Sequence, residues 1–317
     1  MSRYLVTPLQ ASYPRYVRVS RHTIASFLPE VCQAIIDHYK DEVIQCPQTK
    51  QEWRSLSWDF QDEWNLPHDL RALDGKHVAI RKPPSSGSLY HNYKGFFSIV
   101  LFGLVDAKYR FLKLDVGGMR HMSDAQIFNA SELKECIEDG SINFPRPVPL
   151  PYDDVDTPYF LLRDDAFAVR KYLMKPYSRR GLTDDELVFN YRISSARRVV
   201  ENAFGILANL WQFLLTTLHQ GPDVVRRMVE AAVCLHSILR MRYTAIQDSL
   251  FDREEEHHNI IHGQRRETVN MHDLANVVRP NRDTIEAKKQ REYLKLYFNS
   301  EVGKVACQPY IIRQIQV

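Results

Sequence analysis

From Phe96 to Val105 the chain runs almost without a polar side chain, interrupted only by Ser98 and Gly103. A run this short, and this rich in aromatic and β-branched residues, reads as a strand with no solvent face. Such a strand survives only inside a sheet covered above and below, so the chain must supply neighbouring strands and two flanking layers of helix. The expectation is an α/β fold. His77–Ile80 reads as a short strand ahead of the run, and Tyr109–Val116 as one behind it, with a phase slip at Phe111-Leu112 that suggests a bulge. Asp106-Ala107-Lys108 is a tight enough link to make the last two a hairpin.

Helical spacing accounts for much of the remainder. Residues 22–44 carry Ile24, Phe27, Leu28, Val31, Ile35 and Ile36 at that spacing, with Thr23 as cap. A second helix covers Lys50 to Phe60, and a third runs from Asp124 to Glu138 behind Ser123. Phe144 to Pro158, with five prolines and three aspartates, is a loop. Tyr159–Leu162 then forms a short strand that ends at Asp164. The next helix, capped by Ser194 or Ser195, aligns Val200, Phe204, Leu207, Trp211 and Leu214. Asp223 to Arg242 is a further helix; 244–282, acidic from Asp248 to Glu256, reads as a mobile linker. A last helix, 282–298, is amphipathic through Ile285, Tyr293, Leu296 and Tyr297. There is no internal repeat.

Three carboxylates fall where these elements should be buried or half-buried: Asp74, Asp164 and Glu201. A carboxylate in such a place needs a partner, and a divalent metal is one candidate, since hard cations take oxygen ligands. For Glu201 an intrahelical pair with Arg197 or Arg198, worth about 0.2–0.5 kcal/mol, is the other. A net charge of +3, from 42 basic and 39 acidic residues, is too small for electrostatics alone to dictate nucleic-acid binding. Charge is uneven, however: Arg163 to Arg198 holds nine Lys/Arg against five Asp/Glu. Cations beside an acidic pocket suit a phosphodiester substrate, whose backbone needs the former and whose reacting phosphate needs a metal. The longest apolar run is far short of a membrane span. Five scattered cysteines without a Cys-x-x-Cys pair suggest free thiols in an intracellular protein. His236 sits on a mostly apolar helix and reads as core, and the adjacent His257-His258 has poor spacing for a helical metal site, so neither is expected as a ligand.

Five motifs, taken in order, resemble the PIF/Harbinger transposases and the Harbinger-derived nucleases of animals. They are Leu73-Asp74-Gly75-Lys76-His77-Val78, the stretch Tyr90 to Leu101, Ser123-Asp124-Ala125-Gln126-Ile127-Phe128, Asp164-Asp165-Ala166-Phe167, and the long run from Phe189 to Leu207 around Arg197-Arg198-Val199-Val200-Glu201-Asn202. The likeness covers about residues 20–242. It implies a ribonuclease-H-like mixed sheet flanked by helices, with a helical N-terminal region (1–66, a shortened helix-turn-helix), a catalytic domain (67–243) and a linker with C-terminal helix (244–317). Residue by residue, Asp74 matches the family's first-strand aspartate, Asp164 its strand-end aspartate, and Glu201 the helical glutamate; Asp165 is the neighbour that competes with Asp164. The resemblance implies two Mg²⁺ or Mn²⁺ ions, about 3.5–4 Å apart, that activate water and stabilise the leaving oxygen at phosphorus. It further implies DNA as partner with Lys76, Lys94, Arg197 and Arg198 as phosphate contacts, a Myb-like DNA-binding protein, a homo-oligomer on DNA, and work in the nucleus with a cytoplasmic pool. The alternative is a domesticated, non-catalytic derivative that binds DNA or chromatin proteins. Arg163 departs from the family's usual glycine, as Gly118-Met119-Arg120-His121 does from its glycine-serine turn.

Overall fold

The computed structural model describes residues 19–118, 128–129, 131–164, 168–177, 181–243, 253–254, 260–261, 271–273, 283–306 and 308. Helices α1 (Arg21–Val43) and α2 (Lys50–Trp64) precede strands β1 (Asp69–Ala79), β2 (Ser98–Val105) and β3 (Phe111–Gly118). After α3 (Glu132–Glu138) come β4 (Val148–Pro149), β5 (Asp156–Thr157), β6 (Phe160–Leu162) and β7 (Leu173–Met174), then the long helices α4 (Asp184–Leu210) and α5 (Pro222–Arg242). The C-terminal part adds β8 (Arg253–Glu254), β9 (Ile260–Ile261), β10 (His272–Asp273) and α6 (Ile285–Asn299).

The main sheet has the order β3-β2-β1-β6-β7, with β10 also paired to β1. β1, β2 and β3 form an antiparallel meander, whereas β6 and β7 join it in parallel. The sheet is therefore mixed, and with helices on its faces it has the form of a ribonuclease-H-like DDE fold. Every residue of β2 is buried, as its apolar run requires. The slip expected at Phe111-Leu112 is real: Leu104 faces Lys113 and Val105 faces Phe111, which leaves Leu112 as the extra residue.

β1 begins at Asp69, earlier than its apolar pattern suggests. Asp69 and Arg71 interrupt that pattern in sequence, yet both are fully buried, and the Arg71 guanidinium lies 5.9 Å from the Trp53 ring and 6.0 Å from Phe60. Aromatic faces thus accept a cation that a hydropathy pattern reads as a break. α4 likewise starts at Asp184 and not at the Ser194-Ser195 pair. Thr183 and Glu186 close a capping box there, and Phe189 and Ile193 extend the buried stripe toward Val200 and Phe204. α1 is capped by Ser20, whose hydroxyl accepts the Thr23 N–H, and packs Cys32 and Ile36 on Met228 and Ala231 of α5, leaving Phe27 and Val31 exposed. Ser123 and the first turn of the helix expected from Asp124 lie outside the described residues; the end of that stretch is α3, capped by Ser131.

Two apolar layers sandwich the sheet. The larger joins Ala72, Val78, Leu101, Leu162 and Phe111 to Val200, Phe204 and Leu207 of α4, Val229 of α5 and Leu294 and Phe298 of α6. Leu73, Phe102, Leu104 and Leu161 meet Trp53, Phe128 and Leu133 on the other face. α6 keeps half of its expected stripe: Tyr293 and Tyr297 pack on the larger layer, but Ile285 and Leu296 are exposed and Ala287, Leu294 and Phe298 are buried in their place. Phe298 fixes that phase by stacking on Phe189 at 5.8 Å, with the Arg192 guanidinium 4.5 Å from its ring. The stretch read as a linker is docked at Met271, which is buried in the larger layer, and at β10.

His236, fully buried in α5, donates from Nε2 to the Tyr109 carbonyl at 2.8 Å and so ties the helix to the β2–β3 turn. Burial pushes its pKa down to about 4. A folded-state value below the unfolded one, about 6.5, means that its contribution is complete above that pH and lost as pH falls toward 4. Asp69 pulls the other way, because burial raises its pKa and its charge costs stability as pH rises. Comparison with a variant therefore isolates the histidine. Between pH 7 and pH 5 the wild-type protein should lose about 2 kcal/mol more unfolding free energy than His236→Gln, which keeps the donor. Parallel pH profiles in urea titrations would contradict this.

Candidate active site

In the parallel pairing of β1 with β6, Arg71 lies opposite Leu161 and Ala72 opposite Leu162. Two residues further along each strand stand Asp74 and Asp164, so the same register leads both toward one sheet edge on strands about 4.8 Å apart. Alternation gives Asp74 the face of Ala72, against α4. Gly103 of β2 is its direct partner in the antiparallel ladder. A Cβ on Gly103 would come within 2.8 Å of the Phe111 ring and 3.5 Å of Phe204, so the missing side chain lets the two rings pack under the site.

Asp74 is almost completely buried, with Lys76 Nζ 2.9 Å from its Oδ2. Burial alone would raise its pKa, but the Lys76 ammonium and, beyond it, the Arg197 guanidinium outweigh that and hold the carboxyl below its usual range. Glu201 is half-buried on α4, and Arg197 Nη2 donates to its Oε1 at 2.5 Å. Arg197 is thus the electrostatic link between the helical glutamate and the strand aspartate. Asp164 is half-buried just beyond β6, where the Arg163 N–H donates to Met174 O at 3.1 Å and pins that strand end to β7. The Arg163 side chain turns to the opposite layer, its guanidinium 4.7 Å from the Phe102 ring and 5.5 Å from Phe128. It occupies the far face of the sheet from Asp74.

The four cations expected at a nucleic-acid surface are sorted differently by the fold. Lys94 is exposed, 5.8 Å from the Tyr93 ring. Arg197 and Arg198 are half-buried, Arg198 donating to the Ser195 hydroxyl at 2.8 Å. Lys76 is buried, lies 5.7 Å from the Phe204 ring and bonds both Asp74 and Asp273. Burial would lower its pKa; the two carboxylates raise it, so it stays charged.

Sequence reasoning missed several neighbours. Asn92 holds the Tyr90–Phe96 loop by accepting the N–H of Lys94 and Phe96 on its Oδ1, and its amide donates to Ser98 Oγ at 2.9 Å. Ser98 Oγ is in turn hydrogen-bonded to His77 Nδ1 at 2.9 Å, and burial drives the His77 pKa down to about 4. The signal for Asn92 was present, an Asn three residues before a glycine that adopts φ +86°. For Asp273 there was none, because its strand has two residues in a stretch without periodicity.

Among the described residues, no three His, Cys, Asp or Glu side chains gather closely enough as they stand to hold a metal ion. The donor chemistry nevertheless suits one: Asp74, Asp164 and Glu201 are all oxygen donors, the set a hard divalent cation takes. Lys76 beside Asp74 and Arg197 beside Glu201 already supply the positive charge that such an ion would bring. Uptake of an ion by all three would require those two cations to give way and the carboxylates to turn toward one another.

Comparison with known proteins adds the family. A family model described as DDE superfamily endonuclease matches residues 73–237. "Putative nuclease HARBI1" of Homo sapiens is 21% identical over 225 residues, 70% of this chain and 60% of that protein. The Xenopus laevis protein of that name is 22% identical over the same shares. "Protein ALP1-like" of Arabidopsis thaliana is 23% identical over 184 residues, 57% of this chain and 45% of its own length. The chain spans at most 60% of the length of these relatives. No solved structure matches it.

Proposed function

The chain belongs to the DDE superfamily endonucleases, and from that premise we propose that it is a divalent-metal-dependent DNA nuclease of the transposase type, with Asp74, Asp164 and Glu201 as catalytic residues and metal ligands. The observation that carries this reading is the parallel register of β1 and β6, which directs two aspartates to one sheet edge, with α4 bringing Glu201 to the same layer. All three fall within the family match.

Asp74, Asp164 and Glu201 would hold Mg²⁺ or Mn²⁺, two ions in this reading, which when bound would supply a Lewis acid for the scissile phosphate and lower the pKa of water. The chain's own residues prepare that chemistry. Asp74 is held ionised by Lys76 and Arg197, so it can serve as a ligand at neutral pH without first losing a proton. Arg197 keeps Glu201 oriented through its short hydrogen bond. Phe204 and Phe111 close the floor beneath Asp74 against water. Phosphate contacts in this reading fall to Lys94, which is exposed, and to Arg198, which is half-buried. The reading includes a homo-oligomer that pairs DNA ends, a Myb-like DNA-binding partner, and action in the nucleus. No described helix is long and apolar enough to cross a membrane.

A non-catalytic DNA- or chromatin-protein-binding derivative is the second reading, favoured by the two cations that already neutralise Asp74 and Glu201. Nicking of supercoiled plasmid separates the two. Purified protein should convert it to open circles in Mn²⁺ and not in EDTA; folded protein that neither nicks nor binds Mn²⁺ would overturn the nuclease reading in favour of the second.

A further inference from the structure

β10 lies beyond the residues that the family match covers, yet it pairs directly with the strand that carries Asp74. β6 borders β1 from Asp69 to Ala72, and β10 borders it at Lys76 and His77, so Asp74 sits at the gap between the two. Three residues anchor the segment. Met271 is buried in the larger apolar layer, the His272 ring lies 4.9 Å from Phe96, and the Asp273 carboxylate accepts from Lys76 Nζ. The Lys76 ammonium is consequently shared between a buried carboxylate, Asp74, and one whose side chain is 74% exposed, Asp273.

Resting on the metal-site reading above, we propose that Asp273 is a positioning residue: it holds the Lys76 ammonium and so sets how readily Asp74 exchanges its lysine for a divalent cation. A cation arriving at Asp74 must displace a charged lysine from a buried carboxylate. Without a second carboxylate in reach, that ammonium would face a like charge in a place with little water to screen it. Asp273 removes the conflict, because Lys76 is already bonded to it and can let go of Asp74 without losing an ionic partner. The C-terminal segment thereby becomes part of the site, and its docking on β1 is coupled to metal uptake.

The test is equilibrium binding of Mn²⁺ alone to the full chain, read by electron paramagnetic resonance of the free ion. Wild type is compared with Asp273→Asn, Asp273→Glu, Lys76→Met and Lys76→Met/Asp273→Asn. Asp273→Asn should weaken Mn²⁺ binding about tenfold, as expected for coupled charged neighbours, and Asp273→Glu should restore most of the loss. In the Lys76→Met background the same Asn substitution should change affinity less than about twofold, since no ammonium remains to be held. An equal loss in both backgrounds would mean that Asp273 acts on the ion directly and would overturn the proposal. No loss in the wild-type background would overturn it too, and that single variant decides the matter should Lys76→Met fail to fold. Asp164→Asn serves as the reference: if it leaves Mn²⁺ binding unchanged, or if wild type binds none, the metal-site reading fails and the positioning role fails with it.

Discussion

Asp164→Asn is expected to abolish metal-dependent nicking, with a fall of about a thousandfold or more, in protein that stays folded. The size follows from the role assigned to the carboxylate. A ligand that helps hold the ion contributes several kcal/mol of transition-state stabilisation, and about 4 kcal/mol corresponds to that factor in rate. Asparagine keeps the shape but loses the charge, so Mn²⁺ binding should weaken in parallel. The strand end itself stays held, because the hydrogen bond from the Arg163 N–H to Met174 O does not involve the carboxylate. Asp165 supplies the internal control: Asp165→Asn should nick within a few-fold of wild type, and a reversal of the two phenotypes would move the strand-end ligand by one position. A plasmid assay with both variants, beside thermal unfolding of each, settles the assignment.

Phe204→Ala has the largest expected effect on stability. The ring is buried, packs edge-on against Phe111 at 5.3 Å, and fills the space that Gly103 leaves beneath Asp74. Truncation removes the apolar transfer term and leaves a cavity in a close-packed layer, which together cost about 3–5 kcal/mol. Domains commonly have only about 5–15 kcal/mol in total, so much of the margin would be gone. Urea titration should show a large drop in midpoint with little change in slope. A loss under about 1 kcal/mol would mean that Phe111 and the helix collapse into the space, and the floor of the site would then be softer than the packing indicates. The ring also lies 5.7 Å from Lys76 Nζ, so Mn²⁺ affinity should shift in whatever variant remains folded.

Much of this was legible in the linear chain, for identifiable reasons. β2 was readable because burial on both faces leaves no polar alternation to confuse. The Leu112 bulge was readable because a period of two makes a single insertion visible. Elements failed to be read correctly where tertiary contacts override local pattern. β1 extends through Asp69 and Arg71 only because Trp53 and Phe60, from another helix, cover the arginine. The start of α4 was misplaced because a serine pair imitates a cap, although Thr183 and Glu186 make the better one. In α6 only Tyr293 and Tyr297 of the expected stripe face the core, because a charged helix with scattered apolar residues has no dominant stripe until Phe298 finds Phe189.

The candidate site divides in the same way. Asp74, Asp164 and Glu201 could be named from the sequence because their flanking motifs carry local requirements: a strand, a strand end and a helix. Their relative placement could not be derived from those requirements. It depends on the parallel register of β1 and β6 and on which face of the sheet α4 covers. The fate of the cations was still less accessible. Lys76 is a surface charge by composition and a buried ion-pair partner by structure, since its neighbour Asp273 lies far along the chain in a stretch with no pattern. Most of the elements, their order and the chemistry available follow from periodicity and residue type, and so could be read along the chain. Which charges meet is set by the fold alone, because Coulomb interactions and burial depend on distance in space, which a linear order does not specify.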